Sequence, residues 1–168
     1  MKIAVVSDSH DNRDKILKAV SIINKRDVDA LIHCGDFISA FVVRWFDGLK
    51  ESVKERFFGV YGNNDGDRVF LKQNLGQICD LVGMELISEF DGKRVIAIHM
   101  PNQETVDAIA SSGKFDIVLF GHTHALLNKK YDNGVLVVNP GELCGYLTGR
   151  STFAIVDTDE MEAEIIDI

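Results

Sequence analysis

Five short polar motifs in this chain carry side chains suited to holding metal ions, and each follows its own apolar run. The last of them is Gly121-His122-Thr123-His124, directly after Ile117-Val118-Leu119-Phe120. Two imidazoles one residue apart, on a turn opened by glycine, can aim two nitrogens into one cavity, and histidine is the commonest metal-ligating side chain. Asp8-Ser9-His10, Gly35-Asp36, Gly62-Asn63 and His99 stand in the same position after four other runs. Four of the five histidines fall in this set. Each residue has a bland reading by itself: Asp8 as a helix cap, His10 as a surface histidine, Asp36 and Asn63 as turn residues, His99 as a core histidine. Their recurrence at strand ends favours the chemical one.

The candidate ligands are Asp8, His10, Asp36, Asn63, His99, His122 and His124. Oxygen and imidazole without a thiolate suit Mn, Ni, Co, Fe or Zn in a reactive site better than a structural zinc. Seven side chains exceed the share one ion takes and match two divalent ions bridged by one carboxylate. A pair of ions ~3.5–4 Å apart can bind the attacking and leaving oxygens of an in-line displacement at phosphorus. A water bridging them would be deprotonated near neutral pH and become the nucleophile.

These motifs need a scaffold that brings strand ends together. Residues 2–7 read as a strand. Ile16, Leu17, Val20 and Ile23 then recur at helical spacing over 12–25, with Asp11 or Asn12 as N-cap. Strands are expected at 30–33 and 57–61, and helices over 41–54 and 67–81. Strand alternating with helix argues for parallel pairing through helical crossovers. The second half changes character. Runs 85–90 and 94–99 flank Asp91-Gly92, a hairpin signal. A helix over 102–110 precedes the 116–120 strand, and short strands follow at 125–131, 135–138, 152–157 and 163–166. The expected architecture is an α/β sandwich, in which sites gather at the carboxyl edge of the strands.

Composition sets the outer bounds. The 168 residues, 46% apolar and 26% charged, fit one globular domain over 1–168. No apolar run approaches the ~20 residues that span a bilayer. Met1–Val6 turns polar too soon for a signal peptide, so a cytoplasmic protein with no membrane partner is expected. Cys34, Cys79 and Cys144 are odd in number and widely spaced, which suggests small buried side chains rather than a zinc or redox pair. A formal charge of −8 without a basic block argues against generic nucleic-acid binding.

The five motifs, extended at the third to Gly62-Asn63-Asn64-Asp65, resemble the signature of the calcineurin-like metallophosphoesterases over nearly the whole chain. The short length, the Asn139-Pro140-Gly141 turn and the non-histidine at position 64 resemble the small YfcE-like phosphodiesterase branch. The resemblance implies a four-layer αββα sandwich of two mixed β-sheets flanked by helices. It assigns Asp8, His10 and His124 to a first metal, Asp36 to the bridge, and Asn63, His99 and His122 to a second. Asn12 matches a further polar position after the first motif. The implied activity is phosphodiester hydrolysis of a small-molecule substrate through a bridging hydroxide, with Asn64, Asp36 and His122 acting in catalysis and manganese as the first choice of ion. The rival readings are a phosphomonoesterase on the same site and a non-catalytic scaffold subunit of the kind found in membrane-traffic coats.

Two positions depart from that signature. Asn64 replaces a histidine thought to protonate the leaving group; an amide only hydrogen-bonds. A preference for good leaving groups such as aryl oxides is the expectation. Met100 follows His99 where many relatives have glycine. Outside the signature, His33 is expected to be a packed histidine and Asp65 a helix cap. Phe37, Phe41 and Trp45 share a helical face, expected to pack in the core, with an apolar wall beside the metals or an oligomer contact as the functional alternative. Glu142 stands where relatives often have serine and has no assigned role.

Overall fold

Unbroken apolar runs form the central strands because both of their faces are covered. The computed structural model describes residues 1–168. The first sheet contains β1 (Lys2–Val6), β2 (Ala30–His33), β3 (Phe57–Val60) and β4 (Asp80–Gly83), in parallel. Its other edge adds β10 (Thr152–Asp157) and β11 (Glu162–Asp167), antiparallel. The second sheet contains β5 (Glu85–Phe90), β6 (Lys93–Ile98), β7 (Ile117–Phe120), β8 (Leu127–Lys130) and β9 (Leu136–Asn139), in the order β5-β6-β7-β9-β8. Parallel pairs β6–β7 and β7–β9 are flanked by antiparallel ones.

Residue alternation builds the layers. Ile3 and Val5 of β1 face a core that also holds Ala97, Leu119 and Val138, so this cluster lies between the sheets. Ala4 and Val6 face the other way, onto Ile16, Ala19 and Ile23 of α1 (Arg13–Lys25). On the far side of the second sheet, Ile96 and Val118 pack on Val106 and Ala110 of α5 (Gln103–Ser111). Helices, sheet, sheet, helix: the four-layer αββα sandwich of two mixed sheets is present. Asn12 caps α1, its side chain accepting from Lys15 N, as the sequence suggests.

Two expected helices differ. Over 41–54 the chain forms a 3₁₀ turn at Ala40–Val42 and two single turns, α2 (Val43–Phe46) and α3 (Glu51–Lys54). Asn24 of α1 interrupts it: its amide donates to Gly48 O (2.8 Å) and accepts from Lys50 N (2.9 Å). With the helix broken, Phe37 and Phe46 are buried while Phe41 is 62% exposed, so Phe37, Phe41 and Trp45 do not share a core-facing stripe. Over 67–81 the helix α4 (Arg68–Leu75) stops at Gly76 and is followed by β4. That strand is a four-residue edge, too short to show a period of two.

Register places the motifs. Val6 pairs with His33 at the ends of β1 and β2, and Ile98 with Phe120 at the ends of β6 and β7. The loops that begin at Ser7, Cys34, His99 and Gly121 therefore leave the two sheets on the same side.

Candidate metal centre

Backbone hydrogen bonds lock these loops to one another. Asp8 N donates to Gly35 O (3.0 Å), His10 N to Asp36 O (3.1 Å), Gly121 N to His99 O (3.1 Å) and Cys144 N to Asp8 O (3.0 Å). The bends that achieve this require left-handed backbone at Asp8, His10, Asp36, His122 and His124, with φ between 41° and 67°. Non-glycine residues in that region are uncommon, and they concentrate at functional sites. Two glycines allow the close approach. A Cβ on Gly62 would overlap the Asp36 carboxylate, and one on Gly121 would overlap Ser7 Oγ.

Asp36 lies at the centre and is fully buried. Its Oδ2 is 3.3 Å from His10 Nε2, and its Oδ1 is 3.4 Å from His99 Nε2. On the His10 side, Asp8 Oδ1 lies 3.3 Å from His124 Nε2 and 3.8 Å from His10 Nε2. On the other side, His99 Nε2 is 3.0 Å from Asn63 Oδ1, and the His99 and His122 rings are 5.3 Å apart. The seven residues singled out in the sequence thus form two adjoining groups that share Asp36.

The imidazole tautomers are set from behind. His99 Nδ1 sits 2.7 Å from the Cys34 carbonyl, which can only accept, so Nδ1 carries a proton and Nε2 is the nitrogen turned toward Asn63 and Asp36. His124 Nδ1 is 2.7 Å from Glu142 Oε2, which likewise leaves Nε2 free toward Asp8. Carbonyl or carboxylate partners of this kind orient metal-binding histidines and raise their basicity. Asp8 Oδ2 is pinned by Ser7 Oγ (2.6 Å) and His122 N (3.0 Å), turning Oδ1 inward.

Two inward-facing buried atoms, Asp8 Oδ1 and His10 Nε2, have no hydrogen-bond partner. Buried polar atoms are rarely left so. A carboxylate oxygen beside imidazole nitrogens is a donor set for a divalent cation, so the residues present fit a metal. Without one, the Asp36 and Asp8 carboxylates raise the pKa of His10 to about 9. Burial opposes ionisation of Asp36, but the facing imidazoles of His10 and His99 and the two N–H groups of Asn64 outweigh it and hold its carboxyl far below the usual range. Cys144 lies near His10 and His124. Burial, with the Glu142 carboxylate beside it, pushes its thiol up to about 12, which makes it a donor to Glu142 (3.0 Å) rather than a thiolate ligand.

Other expectations resolve in detail. Asn64 donates to Asp36 twice, from its backbone N (2.8 Å) and from Nδ2 (2.8 Å). Asp65 does not cap α4; Asp67 does, accepting from Phe70 N. Asp65 instead accepts from Ile38 N and Gly62 N, tying the second and third loops together, because Gly62 must approach Asp36. His33 is buried, stacked on Phe37 at 3.6 Å, and kept neutral by burial. It accepts from Gly35 N and reaches Ser9 Oγ. The sequence reading missed Glu142, which is fully buried. Besides His124 and Cys144, it accepts from the backbone of Tyr146, Leu147 and Thr148.

An αββα sandwich whose strand-end loops hold two linked groups of oxygen and nitrogen donors is the architecture of a metal-dependent phosphoesterase. The model of the calcineurin-like phosphoesterase superfamily domain matches residues 1–161, and the chain belongs to that family. It is 40% identical over 164 residues, 96% of both chains, to the phosphodiesterase MJ0936 of Methanocaldococcus jannaschii. A solved structure described as a novel archaeal phosphodiesterase superposes over 100% of both chains with a TM-score of 0.91 and 39% identity. The YfcE phosphoesterase of E. coli shares the fold over 100% of both chains, with a TM-score of 0.70 and 16% identity. No helix is long and apolar enough to cross a membrane.

Proposed function

We propose that this chain is a divalent-metal-dependent phosphodiesterase with a two-ion centre. The observation that carries the reading is the placement of Asp36, with one carboxylate oxygen turned to His10 and the other to His99. Asp8, His10, His124 and Asp36 would hold one ion; Asp36, Asn63, His99 and His122 the other. Divalent cations bound there would supply positive charge to the phosphoryl oxygens and would acidify an attacking water. The chain's own part is to fix the donors. Ser7 and His122 N hold Asp8, Glu142 holds His124, the Cys34 carbonyl holds His99, and Asn64 holds Asp36. Asn64 has no proton to give at neutral pH, so the leaving oxygen must depart as a stable anion or take its proton from solvent.

The likeness to the archaeal phosphodiesterase supports a diester substrate over a monoester. A complete donor set supports an enzyme over a scaffold. The test is hydrolysis of bis(4-nitrophenyl) phosphate after chelation and separate re-addition of Mn, Ni, Co, Zn, Fe and Mg, alongside 4-nitrophenyl phosphate. Turnover restored by an ion, with the diester preferred, is the expected result. Ion binding without turnover under every metal would favour the scaffold, and monoester preference a phosphatase. A cytoplasmic small-molecule enzyme is the setting proposed.

A further inference from the structure

Met100, the residue after His99, stands between two recesses beside the candidate ligands. One, of about 350 Å³, is bounded by Tyr61, Arg68 and Met84 and reaches Asn63 and His99. The other, of about 590 Å³, is bounded by Pro101, Phe120 and Thr123 and reaches His122. Ile98 and Met100 line both. Both volumes lie within the ~300–1,000 Å³ usual for small-ligand pockets.

The smaller recess has a particular chemistry. Met84 and Met100 are each 55% exposed, so two polarizable thioethers line its mouth. Methionine sulfur makes favourable contacts with aromatic rings and adapts to their outline. The Arg68 guanidinium carbon lies 5.0 Å from the centroid of the Tyr61 ring, and Nη2 donates to Gly62 O at 2.9 Å, which ties the cation to the wall. Apolar and flat surfaces with one tethered cation suit a planar ring attached to an anion. Since Asn63 and His99 belong to the recess and to the metal centre alike, a ring held here is covalently within reach of a phosphoryl group held there.

We propose that Met100 divides the approach to the centre into two subsites, one for each ester arm of a phosphodiester, and that the recess walled by Tyr61 and Met84 takes a flat aryl or heterocyclic arm. The inference rests on the phosphodiesterase reading above. It gives a physical reason for diester preference: a monoester fills only one of two recesses.

The test uses binding, so that it does not depend on turnover. Phenylphosphonate and methylphosphonate carry the same charged head and differ only in the arm. Their affinities for the manganese-loaded protein are measured by calorimetry in wild type, Met84→Gln and Met100→Gly. Wild type is expected to prefer the phenyl ligand by about tenfold, the value of burying roughly 50–60 Å² of ring. Met84→Gln, at an exposed position outside the donor set, should reduce that preference by about fivefold, to about twofold, as an amide replaces an apolar wall, and leave methylphosphonate unchanged. Met100→Gly should also reduce it, by joining the recesses. An unchanged preference in either variant, an equal loss for both ligands, or no phosphonate binding to loaded wild type overturns the proposal. A wild type that shows the preference but hydrolyses no diester defeats the phosphodiesterase reading and leaves the aryl recess standing.

Discussion

Glu142 Oε2 lies 2.7 Å from Nδ1 of His124, and that single contact decides which nitrogen of the imidazole faces Asp8. The carboxylate is held ionised: burial opposes its charge, yet donors on Cys144, His124 and Thr148 bring its pKa down to about 2. Partners of this kind are worth about 10–100-fold in metal affinity when removed. Glu142→Gln should therefore weaken manganese binding by about that factor, read by calorimetric titration. The same variant should speed amide hydrogen exchange at Tyr146–Thr148, whose backbone Glu142 accepts. Unchanged affinity would show that His124 is oriented without it.

Gly62 packs directly against the Asp36 carboxylate. Gly62→Ala places a methyl group where the carboxylate stands. Overpacking of this kind costs about 1–3 kcal/mol, so the melting temperature should fall. Ion binding should fall with it, because Asp36 is the carboxylate that must move. A variant that retains both melting temperature and two bound ions would contradict the shared position of Asp36.

The pH dependence arises from His10. Its folded-state pKa is about 9, above the ordinary value of 6.5. A raised pKa contributes stability below pH 6.5 that is lost as pH rises through about 9. The ion-free protein should accordingly lose stability across that window. A metal ion competes with the proton on Nε2, so the rise in melting temperature given by manganese should grow over the same range. Melting curves with and without manganese at pH 6, 7.5 and 9 check this, and a constant increment would exclude His10 as a ligand.

Leaving-group dependence isolates Asn64. General acid catalysis is typically worth ~10²–10⁴-fold, and an amide cannot provide it. Across a series of aryl diesters, log(kcat/KM) should fall steeply as the leaving-group pKa rises. Asn64→His should flatten that slope. A wild-type slope already near zero would mean that another group protonates the leaving oxygen.

Much of this centre is legible in the sequence because its donors lie just past the ends of strands. Val6, His33, Ile98 and Phe120 are the last residues of β1, β2, β6 and β7, and parallel pairing carries the loops after them to one edge. Glu142 and the Cys34 carbonyl were not legible. They act through long-range contacts: Glu142 meets His124 eighteen residues away, and the Cys34 carbonyl meets His99 sixty-five away. Neither contact leaves a periodic trace. The broken 41–54 helix has the same cause, since Asn24 captures backbone at Gly48 and Lys50 from another element. β4 was hidden by brevity, and Asp65 by its proximity to a helix that Asp67 caps.

The loops are tied to each other rather than only to their own strands: Asp8 to Gly35, His10 to Asp36, Gly121 to His99, Cys144 to Asp8. The donors on these loops are held in place by one another. Heat should then strip the ions and melt the sheets in one cooperative step, with no interval in which a folded but ion-blind species accumulates. For anyone preparing the protein, a sample that still shows a full β signal is one whose binding cage is intact.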